Sequence, residues 1–295
     1  MATILVTGSQ GQLGSELQVL APLYPQFNFL FTDSQQLDIT SEAEVNAFFM
    51  QHRPQYCINA AAYTAVDKAE TEPDAAFAVN AKAVGYIARA ADVLGCQLLQ
   101  VSTDYVFDGS ASAPIGEDAQ PRPLGVYGQS KWEGELQAME KSRSTIIIRT
   151  SWVYSSFGKN FVKTMLRLMA QRETIGVVND QFGSPTYAAD LAKALLEMTV
   201  QLEEKDFEEN PAGIYHYANE GAISWYDFAV AIAEMSGSKC VVEPIPTSAY
   251  PTPAQRPAYS VFSKKKIERV FHLPILPWKD SLQACLLQLQ GYLAG

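Results

Sequence analysis

Short apolar runs alternate with longer stretches of helical periodicity through the first half of the chain. The runs 3–7, 27–31, 56–59, 97–102 and 145–150 are dominated by aliphatic, β-branched or aromatic side chains. Such runs predict buried strands. Between them, apolar residues recur at helical spacing over 13–23, 41–51, 72–94 and from Val126 through Trp132, Leu136 and Met139. Ser41, with Glu44 three residues on, predicts a capped helix start. Strands alternating with helices predict an α/β fold: a Rossmann-type, doubly wound parallel sheet with right-handed crossovers. After residue 150 the texture changes. A helix is expected over 161–170, then a polar loop over 179–186, a helix through Asp190 and Leu195, a strand over 214–217 and a helix over 225–235 capped by Ser224. The expected organisation is a dinucleotide-binding domain over 1–150. Residues 151–295 would form mainly a smaller C-terminal substrate-binding domain, with some segments returning to the first.

The turn after the first strand reads Gly8-Ser9-Gln10-Gly11-Gln12-Leu13-Gly14. Glycines between a first strand and a first helix let backbone approach a pyrophosphate, and the helix N-terminus offers free N–H groups. The spacing is G-x-x-G-x-x-G, not the G-x-G-x-x-G of the dehydrogenase fingerprint. Asp33 ends the second strand, where a carboxylate can accept hydrogen bonds from the adenosine ribose and repel a 2′-phosphate. Asp38 and Ile39 would flank the adenine. Small residues after the third strand, Ala61 and Ala62 before Tyr63, would let the cofactor lie against backbone. Ser102 and Thr103 stand at the carboxyl end of the fourth strand, on the ligand-binding side of such sheets.

Tyr127 and Lys131 are four residues apart, hence on one face of a helix. A nearby ammonium stabilises phenolate and so should lower the tyrosine pKa toward the working range. Such a phenol can protonate a carbonyl oxygen. Thr103 could hydrogen-bond the same oxygen. Arg256 lies within the proline cluster 244–257, which would hold it rigidly. Lys264-Lys265-Lys266 reads as a solvated helix start and the acidic run 203–210 as a solvated loop.

Composition narrows the classes. Of 295 residues, 47% are hydrophobic and 18% charged, which suits a globular protein with a sizeable core. A net charge of −10 disfavours broad binding to nucleic acid or an anionic membrane, so an anionic ligand needs a local cation. Cys57, Cys96, Cys240 and Cys285 are widely spaced and fit reduced core residues. No leader pattern or membrane-length apolar run is seen, and a cytoplasmic location is expected.

Taken together, these motifs resemble the extended short-chain dehydrogenase/reductase superfamily, and within it the dTDP-4-dehydrorhamnose reductase family. The resemblance runs nearly end to end. It rests on Gly8/Gly11/Gly14, the segments 59–70 and 102–107, Tyr127-x-x-x-Lys131, and the segments 149–154, 179–186 and 246–257. It implies NADPH- or NADH-dependent reduction of the 4-keto group of dTDP-4-dehydro-L-rhamnose. Thr103 and Tyr127 would hold the keto oxygen, and Lys131 the nicotinamide ribose. Asp104 and Trp152 would contact the sugar, and Arg256 the diphosphate. The family's use of both cofactors weakens the case for NADH alone that Asp33 makes. A homodimer is compatible with the resemblance. Some relatives bind Mg²⁺ between subunits through glutamates; Glu16 fits one such position, but Ala189 stands where another is expected, so no metal site is predicted. Superfamily dehydratases follow the catalytic Thr with Asp-Glu, whereas Thr103 precedes Asp104-Tyr105. A 4-epimerase, and a non-catalytic subunit like the regulatory subunit of methionine adenosyltransferase, remain alternatives.

Overall fold

The five apolar runs become strands β1 (Ala2–Thr7), β2 (Phe27–Thr32), β3 (Tyr56–Asn59), β4 (Gln97–Thr103) and β5 (Ile146–Thr150). The structure is a computed structural model that describes every residue except 206, 208, 209 and 295. With Gly213–His216 these strands form one six-stranded sheet, in the order Gly213–His216, β5, β4, β3, β1, β2. Every pairing in it is parallel. The chain steps outward from β1 to β2, then crosses back to place β3 on the other side of β1. That reversal opens a crevice at the carboxyl ends of β1 and β3.

Why the runs are continuously apolar is visible in β1. Ile4, Leu5 and Val6 are all fully buried. Ile4 and Val6 join the core on one face, with Leu13 and Leu17 of α1 (Gln12–Leu20) and Leu191 and Leu195 of the helix Ala188–Glu204. Leu5 joins the core on the other face, with Val45 and Phe49 of α2 (Glu42–His52) and Ile87. A parallel strand covered by helices on both sides has no solvent face to make polar.

The remaining elements build around a second core containing Tyr154, Val162, Met165, Phe228, Ile232, Trp278 and Leu282. Three two-stranded pairings brace it: Thr174–Val178 with Val241–Ile245, Phe182–Gly183 with Ile223–Ser224, and Val153–Tyr154 with Thr186–Tyr187. Several of these elements were not expected from the sequence. No strand was assigned to Val241–Ile245, whose Pro244 opens the proline cluster, and a proline is tolerated in an edge strand.

Local details correct the sequence reading in three places. Ser41 Oγ does accept from Glu44 N at 3.3 Å, but the Glu44 carboxylate accepts from Asp38 N, so the reciprocal half of the capping box is not made. The lysine run is not wholly solvated: Lys264 is buried against Glu220 at 2.8 Å, and Lys266 Nζ donates to Ile214 O and lies over the Tyr215 ring. Of the acidic run, Asp206, Glu208 and Glu209 lie outside the described residues, while Glu203 closes a helix and accepts from Tyr56 Oη at 2.7 Å. All four cysteines are free and buried. No helix among the described residues is long and apolar enough to cross a membrane.

Candidate active site

The crevice is a cleft of about 910 Å³ running from the end of β2, past the glycine turn, to the start of the Tyr-Lys helix. Its floor is the carboxyl edge of the sheet. There Thr7, Asn59 and Gln100, all buried, are joined side chain to side chain across β1, β3 and β4.

The glycine turn is shaped by contacts no other residue could make. Gly8 has φ +69°, and a Cβ on it would stand 2.7 Å from Ala61 backbone. A Cβ on Gly14 would stand 2.4 Å from Gly8 O. The turn therefore lies flat under the cleft. At the start of α1, Gly11 supplies no side-chain cap and the first turn holds no acidic residue. The N–H groups there are left for a ligand, and their partial positive charge suits a phosphate. A dinucleotide pyrophosphate fits this cradle.

Of the residues named from the sequence, Gly8, Gln10, Gly11, Gln12, Leu13, Asp33, Asp38, Ile39, Ala61, Ala62, Ser102, Thr103, Asp104, Tyr127, Lys131 and Trp152 line the cleft. Four expected residues do not. Ser9 is buried, its N–H engaged by Thr32 O at 3.0 Å. Gly14 packs beneath the turn. Tyr63 donates its hydroxyl to Glu72 and its N–H to Asn80 Oδ1, and packs in the cluster that holds Tyr127. Arg256 is the fourth: its guanidinium makes a paired contact with the Asp67 carboxylate at 3.0 and 2.9 Å. The proline-rich segment does hold it, but onto a carboxylate. Asp67 is correspondingly held below the usual carboxylate range by that arginine.

Thr103, Asp104 and Tyr127 converge because the helix Val126–Lys141 approaches the 104–106 turn very closely. A Cβ at Gly128 would lie 2.2 Å from Tyr105 O. Thr103 Oγ1 donates to Asp104 Oδ1 at 3.1 Å. Burial pushes the Tyr127 phenol up to about 12, against a hydrogen bond from Thr103 that lowers it. Burial also pushes the Lys131 ammonium down to about 8, with the Glu135 charge opposing. The expected lowering of Tyr127 by Lys131 is therefore reversed. Lys131 Nζ points instead to Val101 O at 2.7 Å, and desolvation outweighs its attraction for a phenolate. Tyr127 thus holds its proton at neutral pH. Asp104 is buried and its carboxyl is raised to about 6, chiefly by that burial.

Two supporting groups had no sequence signal. Glu135, one turn beyond Lys131, accepts from Ser102 Oγ at 2.5 Å and takes a paired contact from Arg149 at 2.9 and 2.6 Å. Ser102 thus turns its hydroxyl to Glu135, and only the rest of the residue is left to the cleft. Asn80, in the π-helical turn Ala78–Lys82, donates to Ser130 Oγ and Tyr63 O and so ties the Tyr-Lys helix to the cleft wall. Trp152, at φ +48°, stacks on Trp225 with centroids 3.5 Å apart and forms the opposite wall. Glu16 is buried and accepts from Ser155 Oγ at 2.6 Å.

The RmlD substrate binding domain family matches residues 1–290. A dTDP-4-dehydrorhamnose reductase of Aggregatibacter actinomycetemcomitans is 43% identical over 291 residues, covering 96% of this chain and 98% of that protein. The crystal structure of such a reductase from Clostridium acetobutylicum superposes with a TM-score of 0.92 at 40% identity, covering 98% of this chain and 99% of the other. Another, from Bacillus anthracis in complex with NADP, superposes with a TM-score of 0.90 at 37% identity, covering 98% and 100%.

Proposed function

This chain belongs to the RmlD substrate binding domain family, and from that premise we propose that it reduces the 4-keto group of dTDP-4-dehydro-L-rhamnose with NAD(P)H to give dTDP-L-rhamnose. The observation that carries the reading is the convergence of Thr103, Tyr127 and Lys131 at one end of a cleft that also holds a phosphate cradle. The bound nicotinamide would supply the reducing equivalent. The chain's own residues do the rest. Tyr127 and, once its hydroxyl turns from Asp104, Thr103 hydrogen-bond the keto oxygen, and Tyr127 Oη gives it a proton as negative charge develops there. Lys131 holds the nicotinamide ribose and, as a cation, eases the loss of the Tyr127 proton. Asp104 and Trp152 orient the sugar. An intact proton donor argues against a purely regulatory subunit. Tyr105 in place of a glutamate after Asp104 argues against elimination of water. NAD(P)H oxidation against a panel of nucleotide-linked 4-keto sugars tests the assignment.

Cofactor choice falls to Asp33. Its Oδ1 accepts from Gln35 N and Gln36 N at 2.9 and 3.1 Å, which fixes the carboxylate at the end of β2. Asp33→Ala is expected to weaken NADH binding about 10-fold, the loss of one or two hydrogen bonds to a charged group, and NADPH binding much less. Equal losses in a fluorescence titration of the two cofactors would remove Asp33 from the ribose.

For the sugar-nucleotide diphosphate, Arg256 would serve either by leaving Asp67 or through N–H groups that Asp67 and Ala254 do not take up. If it serves in either way, Arg256→Ala should raise KM for the nucleotide sugar and leave cofactor affinity unchanged. An unchanged KM in steady-state kinetics would confine Arg256 to its contact with Asp67.

A further inference from the structure

We propose that Lys159, held beside the glycine turn, grips the pyrophosphate of the bound dinucleotide, an inference that rests on the NAD(P)H reading above. The cleft is lined by three aspartates, Asp33, Asp38 and Asp104, and by two lysines, Lys131 and Lys159. Lys131 is buried and donates to Val101 O. Lys159 is exposed and, among the described residues, takes part in none of the ion pairs. Neither lysine is ion-paired among the described residues, but Lys131 is buried on a carbonyl, whereas Lys159 is exposed beside the glycine turn. In a chain of net charge −10, binding two negative phosphates calls for such a group.

Where Lys159 stands is set by its neighbours. Asn160 caps the helix Phe161–Met169 by accepting from Lys163 N at 3.0 Å. The same Asn160 amide donates to Gln12 Oε1 at 2.9 Å. Gly158, at φ +63°, turns the chain tightly over Gln12, whose Cγ would lie 3.0 Å from a Cβ there. Gln12 is the first residue of α1. Both flanks of Lys159 are thus docked on the residue that opens the phosphate cradle. The adenosine ribose end, at Asp33 and Ser34, lies at the end of β2. The nearby Lys163 is engaged with Ser156 O at 3.0 Å and does not line the cleft. A lysine beside the opening of α1 adds a cation to the partial positive charge of the helix N-terminus, and both favour a pyrophosphate there.

The test uses the full chain and binary binding, with no sugar nucleotide present. NADH, ADP-ribose and adenosine are titrated calorimetrically into the unmodified protein, Lys159→Ala and Lys159→Arg. The expected result is that Lys159→Ala weakens NADH and ADP-ribose each about 10-fold, or about 1.4 kcal/mol, while adenosine binding shifts less than about twofold. Lys159→Arg should retain most of the affinity, and the NADH affinity of Lys159→Ala should depend less steeply on salt. Because the side chain is exposed, the variants should keep their Tm. Unchanged NADH and ADP-ribose affinities in Lys159→Ala would overturn the proposal while leaving the cofactor reading intact. So would an equal loss for adenosine, which would place the effect at the nucleoside. In companion steady-state kinetics, a rise confined to KM for the sugar nucleotide would also overturn it, assigning the cation to the substrate diphosphate. Failure of the unmodified protein to bind NADH or NADPH would remove the cofactor reading, and this inference with it.

Discussion

Tyr127→Phe is expected to lower kcat by ~10²–10⁴-fold, roughly 3–5 kcal/mol of barrier, with NAD(P)H binding nearly unchanged. The substitution keeps the ring, which packs edge-on against Tyr105 with centroids 5.4 Å apart, and removes only the hydroxyl. When the 4-keto carbon is reduced, its oxygen gains negative charge and needs a proton. The Thr103 hydroxyl can hydrogen-bond that oxygen but is too weak an acid to surrender its proton. The Tyr127 phenol is a stronger acid and, raised to about 12 by burial, carries its proton through the neutral range. Single-turnover nicotinamide absorbance isolates this step from product release. A rate within a few-fold of the unmodified protein would mean that another group supplies the proton.

Lys131→Met should damage both binding and chemistry. The side chain is almost fully buried, and methionine fills a similar apolar volume without the ammonium. Loss of its charge-assisted hydrogen bonds to a ribose should cost about 10-fold in cofactor affinity. Loss of the positive charge beside Tyr127 should cost about 10²-fold in kcat, so kcat/KM falls about 10³-fold. The pH dependence gives a separate reading. The ammonium is lowered to about 8 in the free protein, so raising pH through that value discharges it. The kcat/KM of the unmodified protein should therefore fall above about pH 8, and Lys131→Met should lack that limb. A basic limb that persists unchanged in the methionine variant would assign it to another group.

How much of this was legible in the sequence depends on the range of the interaction. Strands with both faces covered announce themselves as unbroken apolar runs, so the parallel sheet was predictable from 3–7, 56–59 and 145–150. The glycine turn and the Tyr127–Lys131 pair are local spacings, and both fall in the cleft. Electrostatics was not local. The pair spacing suggested a phenol lowered by its lysine, but burial, which spacing does not encode, raises the phenol and lowers the ammonium. Arg256 meets Asp67 across 189 positions, and Asn160 meets Gln12 across 148. Partners that distant leave no mark in either segment alone. The same holds for Glu135, which reads as a helix-surface glutamate until the fold sets Arg149 and Ser102 against it. Val241–Ile245 was assigned no element, and its pairing with the distant Thr174–Val178 is what makes it a strand.

The most direct test of the account is to present purified protein and NADPH or NADH with dTDP-4-dehydro-L-rhamnose and follow both nicotinamide absorbance and product. The account predicts one equivalent of cofactor oxidised for each dTDP-L-rhamnose formed, over many turnovers. Protein that binds the cofactor yet oxidises none of it with this substrate would contradict it.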